Sequence, residues 1–185
     1  MKIDLTLKVT PQMTEDAQGN LKAAVTGHLG THFDVMDKEF PLEYTERRAM
    51  VFDVSRIRDR DIEAADIDLS RIEKDMFVAF LSDFMEEEPY GAHRYFRQHP
   101  QLSYALIEEL LAREISIIGL DFSGLRRGKE HTPMDQHCAD RNVFVVENLC
   151  NLRQVLKISD SFTARTYPMN FAGLTGLPCR VVAEL

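Results

Sequence analysis

Two histidines and an aspartate lie close together in the segment GHLGTHFD, at residues 27–34. His28, His32 and Asp34 offer imidazole nitrogens and a carboxylate, which are ligands that suit zinc or manganese. On a straight strand the two histidines would lie about 13 Å apart, too far for one ion, whose bonds are about 2.0 to 2.2 Å long. Gly30 lies between them and makes a bend or bulge easy. The segment therefore predicts a metal site on a bent backbone; two exposed loop histidines and a turn aspartate are the alternative interpretation.

Further candidate ligands occur later in the chain. Glu147 ends the apolar part of VFVVENL at residues 143–149, and the polar stretch before it contains Asp135 and His137. A carboxylate and an imidazole from these segments could meet at a strand edge as ligands of a second metal. A glutamate at the end of a strand more often caps a helix or faces solvent, so Glu147 alone does not indicate a site.

Alternating strands and helices are expected to position these residues. Period-2 patterns and apolar runs predict strands at residues 1–10, 22–35, 49–54, 76–81, 115–121 and 143–149, and in the C-terminal CRVVAEL. The stretch SYALIEELLARE predicts an amphipathic helix with Ser103 as its N-cap. Residues 56–75 and 124–135 are predicted to be loops, and His93 and His99 to be solvated. The fold class is therefore α/β, in a single domain over residues 1–185.

Composition excludes several classes of function. The formal net charge is −8 and the pI is about 5.3, whereas nucleic-acid binders usually carry a basic face. Charges interrupt the first ten residues, so we expect no signal peptide and no membrane segment, and a cytoplasmic protein. The three cysteines show no CxxC spacing, so we expect reduced thiols.

Three motifs carry a resemblance to a known family. GHLGTHFD is similar to HxGTHxD, VFVVENLCNL to a strand and turn of the form VEnLxNL, and IIGLDFSG to vGiDxxS, in the same order and with similar separations. Together they resemble the cyclase family of metal-dependent hydrolases, which includes kynurenine formamidase. The resemblance covers nearly the whole chain. It implies the swivelling β/β/α fold of that family and assembly as a homodimer or homotetramer.

The resemblance also implies a ligand set. Matching positions give His28, His32, Asp34 and Glu147 as metal ligands, with Asp34 bridging two ions. The expected cofactor is one or two divalent ions, Zn²⁺ first and Mn²⁺ as the alternative.

Two departures from the family pattern concern proton transfer and the second ion. Where the family motif continues as PxH, this chain has Met36 and Lys38. Lys38 is either a replacement acid or base or a plain surface lysine. Twelve residues before the glutamate, the family histidine is Asp135 here, so either Asp135 is an oxygen ligand, or a shifted loop lets His137 reach the metal, or the second ion is absent. Two neighbours in the same loop, His131 and Glu130, could substitute.

The function that follows is hydrolysis of a small amide, N-formyl or cyclic imide substrate by metal-activated water, as in an arylformamidase. Glu147 would hold the second ion or orient water, and Lys38 would protonate the leaving nitrogen. Three alternatives stay open: a member that binds metal and ligand without turnover, a lyase or isomerase, and an interaction protein without metal. Aromatic residues that could line a substrate pocket, although such residues are more often core, are Phe33, Phe40, Tyr44, Phe84 and Tyr90.

Overall fold

Within residues 1–18 and 26–185, which the computed structural model describes, eight strands form one sheet that closes into a ring. The strands are β1 (Lys2–Asp4), β2 (His32–Asp34), β3 (Glu46–Asp53), β4 (Phe77–Leu81), β5 (Ile117–Leu120), β6 (Phe144–Glu147), β7 (Ser161–Pro168) and β8 (Gly176–Glu184). The ring follows the order β8-β2-β6-β5-β4-β3-β7 and returns to β8, because β7 pairs with both β3 and β8. β1 is added outside the ring, along the last residues of β8.

Four neighbouring strands of the ring, β3 to β6, run parallel. β2 lies antiparallel beside β6, so that its first residue, His32, pairs with the last residue of β6, Glu147. The segments that follow β5 and β6 therefore leave the sheet at the edge where β2 begins. Because the carboxyl ends of parallel strands meet at one edge, this is where α/β folds usually place a site.

Six helices lie within the described ranges, joined in places by short 3-10 turns. They are α1 (Pro11–Gln18), α2 (Phe84–Glu87), α3 (His93–Gln98), α4 (Tyr104–Ala112), α5 (His131–Ala139) and α6 (Leu152–Leu156). The amphipathic helix predicted after Pro100 is α4, and Ser103 caps it by accepting a hydrogen bond from the Leu106 N–H at 3.1 Å. No helix in the described part of the chain is long and apolar enough to cross a bilayer. The predicted α/β fold is confirmed.

Strand β4 is buried on both faces, as its continuous apolar run predicted. Val78 and Phe80 pack in a cluster shared with α4, on the helical side of the sheet. Phe77, Ala79 and Leu81 belong to a second cluster that also contains side chains of β1, β7 and β8. Strand β4 therefore contributes side chains to both clusters of the core, one from each of its faces.

The segment at residues 124–135 is a loop only in its first part, contrary to prediction. A 3-10 turn covers Gly128–Glu130 and α5 begins at His131. Pro133 is tolerated because it lies in the first helical turn, where the backbone N–H has no partner within the helix. The polar composition of this segment and its proline are typical of a loop, although the segment contains the start of a helix with two candidate ligands, His131 and Asp135.

The strand predictions also need correction. The strand predicted at residues 1–10 is limited to β1, because only its first residues pair with β8. The strand predicted at residues 22–35 is limited to β2 among the described residues, and residues 19–25 lie outside them. β7 was not predicted, although Phe162, Ala164 and Thr166 alternate with more exposed neighbours along it. That alternation is the period-2 pattern of a half-buried strand.

His99 is buried, contrary to the prediction of a solvated side chain. It is only 1% exposed, its ring stacks on Phe122 with centroids 5.8 Å apart, and its Nδ1 donates to the Pro100 carbonyl oxygen at 2.8 Å. Burial lowers the pKa of His99 to about 4, because desolvation disfavours the imidazolium.

This burial predicts a pH-dependent stability. Between about pH 4 and 6.5 the unfolded chain binds a proton at His99 that the folded chain does not, so the free energy of unfolding falls as the pH falls through this window. We expect the stability advantage of the wild type over His99→Gln to shrink by about 2 to 3 kcal/mol from pH 7 to pH 4.5. Urea unfolding of both proteins across that range measures it. An advantage that does not change with pH would contradict the prediction.

Candidate metal centre

The turn before β2 brings the two predicted histidine ligands together. Gly27 and Gly30 have positive φ angles of 84° and 70°, which glycine adopts without steric cost. His28 Nδ1 consequently lies 3.1 Å from His32 Nε2, whereas a straight strand would hold the two residues about 13 Å apart. The bend predicted at Gly30 is confirmed.

Asp34 lies beside both histidines. Its Oδ1 is 3.0 Å from His28 Nδ1 and 3.7 Å from His32 Nε2. The other ring nitrogens are engaged outside the cluster, because His28 Nε2 lies 2.9 Å from Thr175 Oγ1 and His32 Nδ1 donates to the Gly30 carbonyl oxygen at 2.8 Å. Such contacts fix the orientation of a metal-binding imidazole. One ligand atom from each of the three residues lies within 4.8 Å of the others, close enough to share one ion.

Glu147 reaches the same cluster through strand pairing. It ends β6 directly opposite His32, and its Oε2 lies 3.7 Å from His32 Nε2. The Ser123 hydroxyl, from the segment after β5, is 3.4 Å from the same carboxylate oxygen. The carboxyl ends of β5 and β6 thus contribute to one site, as the topology requires.

Helix α5 contributes His131 and Asp135, one turn apart. His131 Nε2 lies 3.2 Å from Asp135 Oδ2 and 3.5 Å from Glu147 Oε1. The ring of His131 packs against the backbone of Gly124, where an added Cβ would be 2.5 Å from the imidazole. Asp34, His131 and Asp135 form a second group of ligand atoms within 4.8 Å. Asp34 belongs to both groups and would therefore be shared if two ions were bound.

The cluster concentrates negative charge in a buried place. Asp34, Asp135 and Glu147 are each at most 2% exposed. Burial raises the pKa of Glu147 well above its usual range, and the charges of Asp34 and Asp135 raise it further. Burial alone would also raise the pKa of Asp34, but the neighbouring His32 and His28 hold it below its ordinary value. Burial lowers the pKa of His32, which keeps that imidazole neutral and able to bind a metal.

A divalent cation fits this donor set. Among the described residues, Asp34 Oδ2 and Glu147 Oε1 are buried without a hydrogen-bond partner, and buried polar atoms of that kind are rare in native proteins. Mixed imidazole and carboxylate ligands suit zinc and manganese. A cation would satisfy the unused oxygens and offset the charge of the carboxylates.

The cluster forms one wall of a cavity of about 270 Å³. Met36 and Phe96 add apolar surface to it, and Ser123, Thr132 and Thr175 add hydroxyl groups. The aromatic residues suggested by the sequence do not form this wall. Phe33 and Phe84 are buried in the core clusters, and Phe40 and Tyr44 pack against one of them. Tyr90 packs against the other cluster and accepts a hydrogen bond from the Gly30 N–H beside the site.

Lys38 lies outside the cavity. Its Nζ is 2.8 Å from Asp140 Oδ1 and 3.1 Å from Asp37 Oδ1, and it lines a neighbouring groove together with Phe40. The hydrogen bond to Asp140, and then the one to Asp37, raises the pKa of Lys38, which opposes a role as a base. A proton-transfer role for Lys38 stays a prediction that this position does not favour.

His137 also lies apart from the cluster, on the exposed side of α5. Its Nε2 is 2.6 Å from Glu108 Oε1, and Arg141 Nη1 donates to its Nδ1 at 3.0 Å. Two residues along a helix correspond to a rotation of about 200°, so His137 points away when Asp135 points inward. Of the ligands expected from the sequence, the structure therefore brings together His28, His32, Asp34, Asp135 and Glu147, and leaves out His137.

His131 is the site residue that the sequence suggested only as a substitute. The signal was available in the segment HTPMD, because a histidine and an aspartate four residues apart share one face of a helix. The polar residues and the proline around it are typical of a loop and mask this signal. No motif indicated Phe96, Thr132 or Thr175.

Comparison with known proteins supports the same kind of fold. The sequence matches a family model described as Cyclase over residues 3–125. Isatin hydrolase A from Labrenzia aggregata, in a structure with bound benzyl benzoate, is 19% identical with a TM-score of 0.75, over 99% of this chain and 93% of that chain. Isatin hydrolase A from Ralstonia solanacearum is 19% identical with a TM-score of 0.74, over 99% and 91%.

A further solved structure, described as a potential metal-dependent hydrolase with cyclase activity, is 19% identical with a TM-score of 0.73, over 99% of this chain and 96% of that chain. At these identities the likeness concerns the fold. No curated protein sequence matches this chain significantly.

The geometry of α5 predicts different effects for its two histidines. Replacing His131 by Ala should weaken the binding of at least one divalent ion by at least about tenfold, because a nitrogen donor beside Asp135 and Glu147 is lost. His137→Ala is the matched control and should bind metal like the wild type. Elemental analysis after dialysis, followed by calorimetric titration with Zn²⁺ or Mn²⁺, measures both. Equal binding by wild type and His131→Ala, with a loss in His137→Ala, would reverse the assignment.

Proposed function

Since this chain belongs to the cyclase family, we propose that it is a metal-dependent hydrolase that breaks a C–N bond in a small amide, N-formyl or cyclic imide substrate. The observation that carries the proposal is the convergence of three imidazoles and three carboxylates on one cavity. Buried ionisable groups that share a cavity are typical of catalytic sites.

The ligands we assign are His28, His32 and Asp34 for a first ion, and Asp34, His131 and Asp135 for a second. Zinc is the first choice and manganese the alternative, because both accept imidazole and carboxylate ligands. A bound divalent cation supplies a Lewis acid that polarises a carbonyl and lowers the pKa of water.

Glu147 is the residue to which we assign proton handling. Its carboxyl group is buried between His32 and His131, and burial together with the charges of Asp34 and Asp135 raises its pKa well above the usual range, which suits a group that exchanges protons with a substrate. The Ser123 hydroxyl, 3.4 Å from Oε2, orients it. In a centre with two ions Glu147 would join Asp34, His131 and Asp135 as a ligand of the second ion, and the measured ratio of metal to protein distinguishes the two cases.

The cavity favours a compact, partly aromatic substrate. Its volume of about 270 Å³ is slightly below the range of about 300 to 1,000 Å³ that is typical of pockets for drug-sized ligands. Phe96 is 43% exposed at the wall and offers a ring on which an aromatic substrate can pack. The hydroxyl of Thr132 lines the cavity and can bind polar groups of such a substrate. The names of two similar structures, both isatin hydrolases, fit a substrate of this kind.

A second candidate function is a protein that binds metal and ligand without turnover. Lys38, at the position of the proposed family acid or base, is held by Asp140 and Asp37 away from the cavity. If proton transfer requires a side chain at that position, turnover would be lost while the metal centre remained. Assembly as a homodimer or homotetramer and a cytoplasmic location stay predictions.

The two candidates differ in a direct activity test. Protein loaded with Zn²⁺ or Mn²⁺ should hydrolyse at least one of isatin, formanilide and a cyclic imide. His32→Ala should lower kcat/KM by at least about a thousandfold, because the Lewis acid contributes several kcal/mol to the transition state. Lys38→Gln, the matched control, should retain activity within about threefold. Absorbance assays of ring opening or amine release measure these rates.

Two results would contradict the hydrolase proposal. Stoichiometric metal binding without turnover of any of these substrates would favour the binding protein. Activity that survives in His32→Ala would remove the metal centre from the reaction. A large loss in Lys38→Gln alone would return proton transfer to that lysine.

A further inference from the structure

The peptide groups of Gly30, between the two histidine ligands, are held by two side chains from distant parts of the chain, the half-buried Tyr90 and the buried Asn148. The Gly30 N–H donates to the Tyr90 hydroxyl oxygen at 2.9 Å. The Gly30 carbonyl oxygen accepts two hydrogen bonds, from His32 Nδ1 at 2.8 Å and from Asn148 Nδ2 at 2.9 Å. The carbonyl that orients the His32 ring is therefore itself oriented by Asn148.

Tyr95 fixes the orientation of that Asn148 amide. The Tyr95 hydroxyl donates to Asn148 Oδ1 at 2.6 Å, and Tyr95 is fully buried. Because the amide oxygen faces Tyr95, the amide nitrogen faces the Gly30 carbonyl. Burial raises the pKa of Tyr95 well above its ordinary value, so the phenol keeps its proton and remains a donor at neutral pH.

We infer that Tyr95 is a positioning residue for the metal ligand His32 and acts through Asn148 and the Gly30 carbonyl. The inference rests on the proposed function in one respect, namely that His32 binds the ion. A neutral imidazole whose Nδ1 donates to a carbonyl presents Nε2 without a proton. Nε2 is the nitrogen that faces Asp34 and Glu147, at 3.7 Å from each carboxylate.

Other contacts hold the backbone of Asn148, so the residue cannot shift toward a new partner if the Tyr95 hydroxyl is lost. Asn148 has a positive φ of 59°, and its own carbonyl accepts from the Thr31 hydroxyl at 2.7 Å. These contacts fix the backbone of Asn148. Because Asn148 is only 1% exposed, water cannot replace the Tyr95 hydroxyl unless the structure opens locally. Without this donor, the amide can rotate and present an oxygen to the Gly30 carbonyl, which would repel it.

The same helix links this network to the cavity wall. Tyr95 and Phe96 are consecutive in α3, with ring centroids 5.2 Å apart, and Phe96 lines the cavity. Tyr95, which connects α3 to the His32 network, therefore also packs against the Phe96 ring that lines the cavity.

The test compares two substitutions that each remove one phenolic hydroxyl. Tyr95→Phe removes the donor to Asn148, whereas Tyr44→Phe removes a hydrogen bond of 3.1 Å to the Asn142 carbonyl, outside the site. Competition with a chelator should show metal affinity lower by about tenfold to a hundredfold in Tyr95→Phe, and unchanged within about twofold in Tyr44→Phe. The His32 Nδ1–H signal in ¹⁵N-resolved NMR should shift or disappear through exchange only in Tyr95→Phe.

A second variant tests the route through Asn148. Asn148→Gly removes the amide and suits the positive φ, so it should fold. It should weaken metal binding as Tyr95→Phe does, and the double variant should show no further loss, because both substitutions break one chain of contacts. Additive losses would mean that Tyr95 acts by another path and would overturn the inference.

The outcomes separate this inference from the proposed function. Wild-type affinity and an unchanged His32 Nδ1–H signal in Tyr95→Phe overturn the positioning role, whatever the activity of the enzyme. If the wild type binds no metal, the proposed function fails. The NMR comparison of Tyr95→Phe with Tyr44→Phe, made on metal-free protein, still decides whether Tyr95 orients His32.

Discussion

Three carboxylates, Asp34, Asp135 and Glu147, lie in one buried cluster, and their charge is the constraint that the surrounding structure has to meet. Removing carboxylates from water is costly unless opposite charge or hydrogen bonds replace the solvent. Here the partners are the imidazoles of His28, His32 and His131, at 3.0 to 3.7 Å from carboxylate oxygens. Burial lowers the pKa of His32 and so favours its neutral form, which offsets no negative charge, and the cluster therefore suits a divalent cation. The proposed hydrolase chemistry depends on this imbalance.

The ring of strands holds this cluster in place. His32 and Glu147 are paired residues on antiparallel β2 and β6, so their side chains lie next to each other at the same position along the two strands. Helix α5 is fixed beside them, with the His131 ring packed on the Gly124 backbone. Tyr95 and Asn148 then set the orientation of one ring. A site built on strands and supported by buried hydrogen bonds holds its geometry better than one built on loops.

Periodicity predicted much of the fold. The apolar stripe and the Ser103 cap indicated α4, because the burial of that helix repeats at its period. Continuous apolar runs indicated β4, β5 and β6, because those strands are buried on both faces. Helix α5 was missed because its first turn contains polar residues and Pro133, which are typical of loops as well as of helix starts. The burial of His99 was missed because it depends on the Phe122 ring, a contact that no local pattern records.

The sequence by itself determined the chemistry of the ligands, the bend at Gly30 and the family, because these depend on residue types and short spacings. Only the tertiary structure decided which distant residues join them. It brought His131 and Asp135 to Glu147 and turned His137 toward Glu108, since two further residues rotate a helical side chain by about 200°. It also paired Lys38 with Asp140. Distances between remote segments depend on which strands pair and on the direction in which helical side chains point, and a local stretch of sequence determines neither.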